Sequence, residues 1–366
     1  TLGWCGKAVD SIADRLVFRE FADDTFDING IYQANNSDVL FDSAILGALI
    51  ASCSFIYISA DEEGFPRLQV INGDDATGIL DPVTNMLTEG YAVLKRDDNG
   101  IPQIEAYFTA ESTIIYDKQL GAEVYDNPAP YPLLVPIIYR SDADRPFGRS
   151  RISRACMSIL ASASRTVKRS EISAEFFSFP QKWVTGLSPD TEILDKWSAA
   201  MSAMFAITSS SGRNESEPKF GQFTQQSMQP HNDQLKMFAA LFAGETGLTM
   251  DDLGFVTDNP SSQEAIKASH ETLRLYAKKA QRNFGTGFLN AGYLAACVRD
   301  NFAYKRRAVY KTTPKWEPVF EPDAAMLSSI GDGAIKINQA VPDYLDAEVL
   351  RDITGIASNK QGGFYE

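Results

Sequence analysis

The residue types that could carry chemistry are few, and their surroundings argue for structural roles. Three carboxylate pairs, Asp61/Glu62, Asp97/Asp98 and Asp251/Asp252, have the composition of an acid–base couple or a hard-metal site. The first two lie in the clusters DEEG and DDNG between apolar runs, which predicts solvated turn tips. Asp251 and Asp252 follow Thr249, the pattern of a capped helical turn in which acids favour the helix dipole. Ser158, Ser162 and Ser164 share one predicted helix and form no GxSxG elbow. His231 and His270 are the only histidines, so a His-built zinc site or a Ser–His–Asp triad has almost no material. Cys5, Cys53, Cys156 and Cys297 form no CxxC pair and read as buried free thiols of a reducing compartment. Neither GxxxxGK[ST] nor GxGxxG occurs, which argues against an ATP-driven motor and a dinucleotide enzyme. The expectation is a protein with no catalytic residue, no metal and no cofactor.

Composition narrows the partners. The chain has 366 residues, is 44% hydrophobic and carries a net charge of −14. A tight non-specific nucleic-acid binder is normally basic, because affinity comes from neutralising phosphates. An acidic chain can still touch DNA without holding it, since like charge keeps a polyanion moving. No uninterrupted apolar run approaches the roughly 18 residues of a membrane span, and no signal peptide is expected. Thr1 is not expected to be the natural start.

The elements that must position these groups change character along the chain. Val9, Ile12, Ala13 and Leu16 predict a helix over 6–16, and 41–51 predicts a second. Residues 55–58 and 67–71 predict a hairpin. Residues 91–96 and 101–109 predict another around Asn99-Gly100, where both residues tolerate positive φ, and 112–116 extends the meander. The proline-rich stretch 127–136 reads as an extended linker. A long helix over 150–177 follows, with Ile152, Cys156, Ile159, Ala163 and Val167 on one face and many small residues elsewhere. Next comes a small β-α-β insert, with strands at 181–185 and 219–224 and the polar segment TSSSGRNESEPK at 208–219 as an exposed loop. Residues 231–246 predict a helix ended by Gly247. After the loop 255–260, Ser261 and Glu264 form a capping box that opens a long helix. Its apolar face is Ile266, Leu273, Ala277, Ala280, Phe284 and Phe288; its polar face is Lys267, Glu271, Arg274, Lys278 and Arg282. Gly285 and Gly287 predict a kink or break. At roughly 1.5 Å per residue, about 38 residues of helix would reach nearly 60 Å, which suggests an assembly. A strand over 310–316 and helices over 326–340 and 347–353 complete the chain.

This order, with several local strings, resembles the portal proteins of long-tailed bacteriophages. The strings are RPFGRSRI at 145–152, FPQKWVTG at 179–186, QPH at 229–231 with Leu235, SSQEAI at 261–266, and DAAM at 323–326 followed by AIKI at 334–337. The likeness covers about residues 40–355. It implies an α+β subunit with an antiparallel-sheet wing (1–148), a first stem helix (149–180), a small α/β clip (181–228) and a second stem helix (229–254). A tunnel loop (255–260), a long kinked tunnel helix (261–300), and a returning strand with a helical C-terminal region or partial crown (301–366) follow. The resemblance further implies a dodecameric ring at the head vertex of the virion, assembled in the host cytoplasm. Double-stranded DNA would pass through its channel. The implied partners are the terminase large subunit, which carries the ATPase, then head-completion or adaptor proteins, and the major capsid or scaffold protein; no membrane is involved. Thr257, Asp258, Asn259 and Pro260 would face DNA, and Ser209, Ser210, Gly212, Arg213, Asn214 and Glu215 would form the clip's docking loop. Lys267, Arg274 and Lys278 would touch phosphates transiently. The rival expectations are another head or connector protein and, further off, a carboxylate-dependent hydrolase with a deep acidic pocket.

Overall fold

The run Cys53–Ala60 is apolar at successive positions, as a strand covered on both faces must be. In the computed structural model this run, β2, is the central strand of an antiparallel sheet of order β3-β2-β9, with β3 at Pro66–Asn72 and β9 at Leu134–Ile138. The structure describes residues 2–178, 182–185, 219–222, 227–255, 269–320, 322 and 324–356. The first expected hairpin is present, in register from Ser54 opposite Asn72 to Ala60 opposite Pro66. Its tip is closed by the Asp61 carboxylate, which accepts from the amides of Glu63 (3.1 Å) and Phe65 (2.8 Å). The expected linker at 127–136 is corrected. Leu134, Val135 and Pro136 pair with Tyr57, Ile56 and Phe55, and Leu133–Val135 are buried. Pro136 misled the reading because proline is tolerated on an edge strand, which β9 is.

The second sheet is an up-and-down meander of five antiparallel strands: β4 (Ala76–Leu80), β5 (Leu87–Arg96), β6 (Pro102–Phe108), β7 (Ser112–Asp117) and β8 (Gly121–Asp126). Gly100 turns the second expected hairpin at φ +79°, and Asp97 caps the turn by accepting from Asn99 and Ile101. The carboxylate pairs Asp61/Glu62 and Asp97/Asp98 thus sit in turns.

Helices cover the first sheet on one side only. Ser54 donates to the Ala44 carbonyl (2.7 Å) of α3, Ser37–Ala51. Ile137, opposite Ser54, lies against Gly287 of a 29-residue helix, Glu271–Arg299. On the other side Tyr57 meets Phe108 of β6 (ring centroids 5.3 Å), and Leu134 lies against Gly90 of β5. The order of layers is therefore helices, three-stranded sheet, five-stranded sheet. Two further helices, α1 (Trp4–Ala13) and α2 (Ile28–Ala34), join the helix layer, and Tyr32 donates to the Phe288 carbonyl at 2.6 Å.

The remaining elements are α4 (Arg154–Ser178), β10 (Lys182–Thr185), β11 (Lys219–Gln222), α5 (Gln229–Thr246), the long helix α6 (Glu271–Arg299), β12 (Thr313–Trp316), α7 (Ala324–Ala340) and α8 (Ala347–Thr354). The break expected at Gly285 and Gly287 is corrected: α6 runs through both. The glycines are there for close approach. A Cβ on Gly285 would lie 2.7 Å from Pro314, and one on Gly287 2.8 Å from Ile137. One on Gly292 would overlap the Ile28 side chain. α6 is buried almost continuously from Phe284 to Cys297. The returning strand β12 pairs with β1, Phe18–Ala22, and Asp352 of α8 clamps that pair by accepting from Arg19 and Lys315, each at 2.5 Å. Burial pushes the Asp352 carboxyl up, but the hydrogen bonds from Lys315 and Arg19 outweigh it and hold the group below its ordinary range.

Candidate channel helices and assembly surfaces

The pair α4 and α5 is built from a sparse apolar face. Cys156, Ala163 and Thr166 of α4 are buried, as are Ala239, Phe242, Ala243 and Thr246 of α5. Small residues at these positions let the axes approach closely. Ser153 caps α4 through the Cys156 amide (3.1 Å) and donates to Glu245 near the end of α5 (2.8 Å). Thr166, halfway along α4, reaches Gln234, one-third along α5 (3.1 Å), so the helices run antiparallel. Pro230 opens α5, and Gly247 closes it at φ +70°, donating to the Ala243 carbonyl. Between α4 and α5 in the chain, β10 and β11 form an antiparallel ribbon from Lys182 opposite Gln222 to Thr185 opposite Lys219.

The near end is fastened by a residue the sequence did not single out. Arg151 is 5% exposed and has no carboxylate partner among the described residues. It instead donates to two main-chain carbonyls, Ala8 of α1 (3.3 Å) and Thr246 at the end of α5. Its guanidinium lies 5.2 Å from the ring centre of Tyr276 of α6, and its own amide donates to Leu49 of α3. This one residue thus joins four helices, three of them through its cation, whose charge complements the C-terminal dipole of α5. Burial lowers its affinity for the proton, but a guanidinium stays charged. The preceding loop is tightly folded. Arg149 pairs with Asp142 (2.7 Å), and Gly148 has φ +79° with the Tyr139 carbonyl where a Cβ would sit. The string RPFGRSRI is the hinge between the sheets and the helix pair. No spacing rule reveals Arg151, because the carbonyls it binds lie 143 residues before it and 95 after it.

The residues expected to meet DNA are brought together only in part. Arg274 and Lys278 lie on the outer face of α6; Arg274 is paired with Glu271 (2.5 Å) and Lys278 is exposed. Lys267 lies outside the described residues, as do Thr257, Asp258, Asn259 and Pro260, and the docking residues Ser209, Ser210, Gly212, Arg213, Asn214 and Glu215. The segment that leads into the expected tunnel loop is well anchored. Thr249 and Asp252 cap each other reciprocally (2.9 and 3.2 Å), Leu253 is buried, and Phe255 packs edge-on against Trp4. The expected capped turn is therefore present, and Asp252 faces His270 at 3.8 Å rather than Asp251.

Among the described residues, no three His, Cys, Asp or Glu side chains cluster as metal ligands, and no helix is long and apolar enough to cross a membrane. No disulfide forms; Cys53, Cys156 and Cys297 are buried, and burial raises the Cys297 thiol to about 11. What the surface offers instead is uncovered apolar area: Met157 and Ile172 on α4, Met237 and Leu241 on α5, and Leu275 on α6. An open groove of about 500 Å³ runs between Cys5, Ile50, Ile152, Met157 and Leu160. Exposed apolar area of this extent marks interaction surfaces.

A protein-family model described as phage portal protein, SPP1 Gp6-like, matches residues 13–329. The chain belongs to this phage portal family. The match begins further toward the N-terminus than the sequence strings suggested, and it stops before α8. Two curated relatives are the portal proteins of Mycobacterium phages L5 and D29, each 24% identical over 317 residues, which cover 80% of this chain and 64% of theirs. The chain thus spans less than two thirds of their length. Among solved structures, a chain from the virion of a native gene transfer agent particle aligns with 96% of this chain and 89% of its own (TM-score 0.51, 12% identity). A chain from the neck of an empty gene transfer agent particle aligns with 97% and 89% (TM-score 0.50, 14% identity). These two likenesses show that the mixed α/β fold with antiparallel sheets is shared.

Proposed function

We propose that the chain forms a closed ring around a DNA channel at one vertex of a tailed phage head. Its role there is structural rather than catalytic. The observation that carries the reading is the family match across residues 13–329, which takes in the sheets, the helix pair and α6 together. The geometry supports it: an antiparallel helix pair with small, partly apolar faces left open is suited to packing between neighbouring subunits. In this reading residues 1–148 are the wing, 149–180 and 229–254 the stem, 181–228 the clip, 255–260 the tunnel loop and 261–300 the tunnel helix. Residues 301–366 return to the wing and form a partial crown. The ribbon β10–β11, which follows α4 in the chain, supports a clip at the end of the stem remote from Arg151.

The clip would dock first the terminase large subunit, which brings the ATPase, and then the head-completion proteins. The wing would meet the capsid or scaffold protein. The net charge of −14 suits a conduit that must not grip its cargo. Electron microscopy of the purified chain in negative stain tests the reading. Rings with a central opening, twelve-fold in the reading drawn from the resemblance, are expected; fields of single compact particles at all concentrations would overturn it.

A further inference from the structure

The five-stranded sheet has one face with no cover among the described residues. Its inner face buries Ala92, Ala106 and Phe108. On the outer face the register lines up Thr77, Tyr91, Tyr107, Ile114 and Val124, one residue from each strand. Tyr116, opposite Glu105, and Ile79, opposite Glu89, flank this row. Val124 is 64% exposed, Ile79 60%, Tyr116 47% and Tyr107 40%, so this is an open aromatic and aliphatic plane. Two carboxylates are fixed within it by crossed hydrogen bonds, Tyr91 to Glu105 (2.5 Å) and Tyr107 to Glu89 (2.6 Å). Each keeps a second oxygen free of those bonds. The strands and turns from 76 to 126 carry nine acidic and three basic residues.

The chain also holds the complement of this surface. Residues 301–316 contain five Lys and Arg and no Asp or Glu, in a chain of net charge −14. Within it Lys305, Arg307 and Lys311 are exposed and make no ion pair among the described residues. Phe302 and Tyr310 stand out beside them, 58% and 72% exposed. The backbone there is held, not loose: Tyr293 donates to the Tyr304 carbonyl (2.5 Å), Arg306 is tied to Asn290 (2.8 Å) and Val309 is buried. Aromatic rings with arginine are the composition of a protein interface centre. A DNA-backbone contact would not need two exposed rings.

The positions of the two patches favour a second copy of this chain as the partner. The tyrosine face is the outer side of the five-stranded sheet. The basic segment leaves the end of α6, in the helix layer on the other side of the three-stranded sheet. Different, complementary patches in opposite layers make head-to-tail contacts, which form rings when the rotation between subunits closes. We propose that the segment 301–311 of one subunit docks on the tyrosine face of the next, setting Lys305, Arg307 and Lys311 against Glu89 and Glu105. This rests on the ring reading above and names the surfaces that would close it.

Two double variants of the full chain test the contact: Lys305→Glu with Arg307→Glu, and Glu89→Lys with Glu105→Lys. All four positions are on the surface, and thermal melting followed by circular dichroism confirms that each variant folds. Each alone sets like charge against like and is expected to raise the half-assembly concentration about tenfold or more. Mixed one to one, the variants alternate so that every contact is again complementary, and the ring is expected to return. Lys305→Gln with Arg307→Gln is expected to leave a weaker ring that responds less to salt. Either reversal assembling like the parent, or a mixture of folded variants that stays dissociated, overturns the docking while leaving the ring. A parent chain that never assembles overturns both. Unchanged assembly with lost retention of a short DNA duplex by the Lys305/Arg307 variant would reassign the segment to DNA.

Discussion

Removing Arg151 should loosen the helix pair from the sheets more than its single side chain suggests. Arg151→Met keeps most of the packing volume and deletes the charge. The Thr246 carbonyl, the last of α5, then loses its donor inside the protein, and an orphaned buried carbonyl costs about 1–3 kcal/mol. The Ala8 carbonyl loses less, because Ser11 also donates to it at 3.3 Å. Loss of the contact with Tyr276 adds roughly 0.5–2 kcal/mol. Against this stands the relief of no longer burying a guanidinium, which offsets part of the roughly 1.5–5 kcal/mol so summed. Because the charge has no carboxylate to lose, the net for Arg151→Met should be about 1–3 kcal/mol. Arg151→Ala adds a cavity and should reach about 3–5 kcal/mol. Arg151→Lys should fall between wild type and Met, since an ammonium is less suited to span both carbonyls and the ring. Urea unfolding gives the totals, and hydrogen exchange locates the loss: amides at the end of α5 and in the hinge 145–152 should be deprotected first. Arg151→Ala within about 0.5 kcal/mol of wild type, the range of an ordinary surface change, would refute the assignment.

Three further outcomes are expected. Gly292→Ala should destabilise by about 1–3 kcal/mol despite alanine's better helix propensity, because its methyl would overlap Ile28; a stabilised variant in thermal melting would contradict the packing. The Asp352 carboxyl is held below its ordinary range, so its contribution is present above the unfolded pKa of about 3.9 and fades as pH falls through the folded value. Hydrogen exchange in α8 should therefore rise selectively below about pH 4 in the parent and already be fast at neutral pH in Asp352→Asn; equal protection of the two at neutral pH would exclude the clamp. Asp258→Lys with Asn259→Lys should leave assembly intact and slow DNA translocation in a salt-dependent way, while wild-type packaging at low salt would remove those residues from the channel.

The parts of the fold legible in the sequence are those fixed by neighbours in the chain. Asn99-Gly100, the Thr249–Asp252 turn and Gly247 announce themselves because the conformation each needs is local. Distant packing hides the rest. Pro136 lowers the strand signal of β9, and only the pairing with Phe55 reveals it as an edge strand. Gly285, Gly287 and Gly292 weaken a helix in isolation, yet they lie where Pro314, Ile137 and Ile28 press against α6. The short strand β4 carries a glycine and β8 a glycine and two acids, and both gain their identity only from the strands beside them. At the site, Arg274 and Lys278 were legible from helical spacing, whereas Arg151 and the tyrosine face depend on carbonyls and register that no local pattern encodes.

The central claim is that this chain closes into a ring, and its mass in solution tests that most directly. Size-exclusion chromatography with light scattering, run over a range of concentrations, should give one species at about twelve times the 40.3 kDa subunit if the ring is of the expected kind. A species that stays at 40.3 kDa at every concentration and salt would contradict the account.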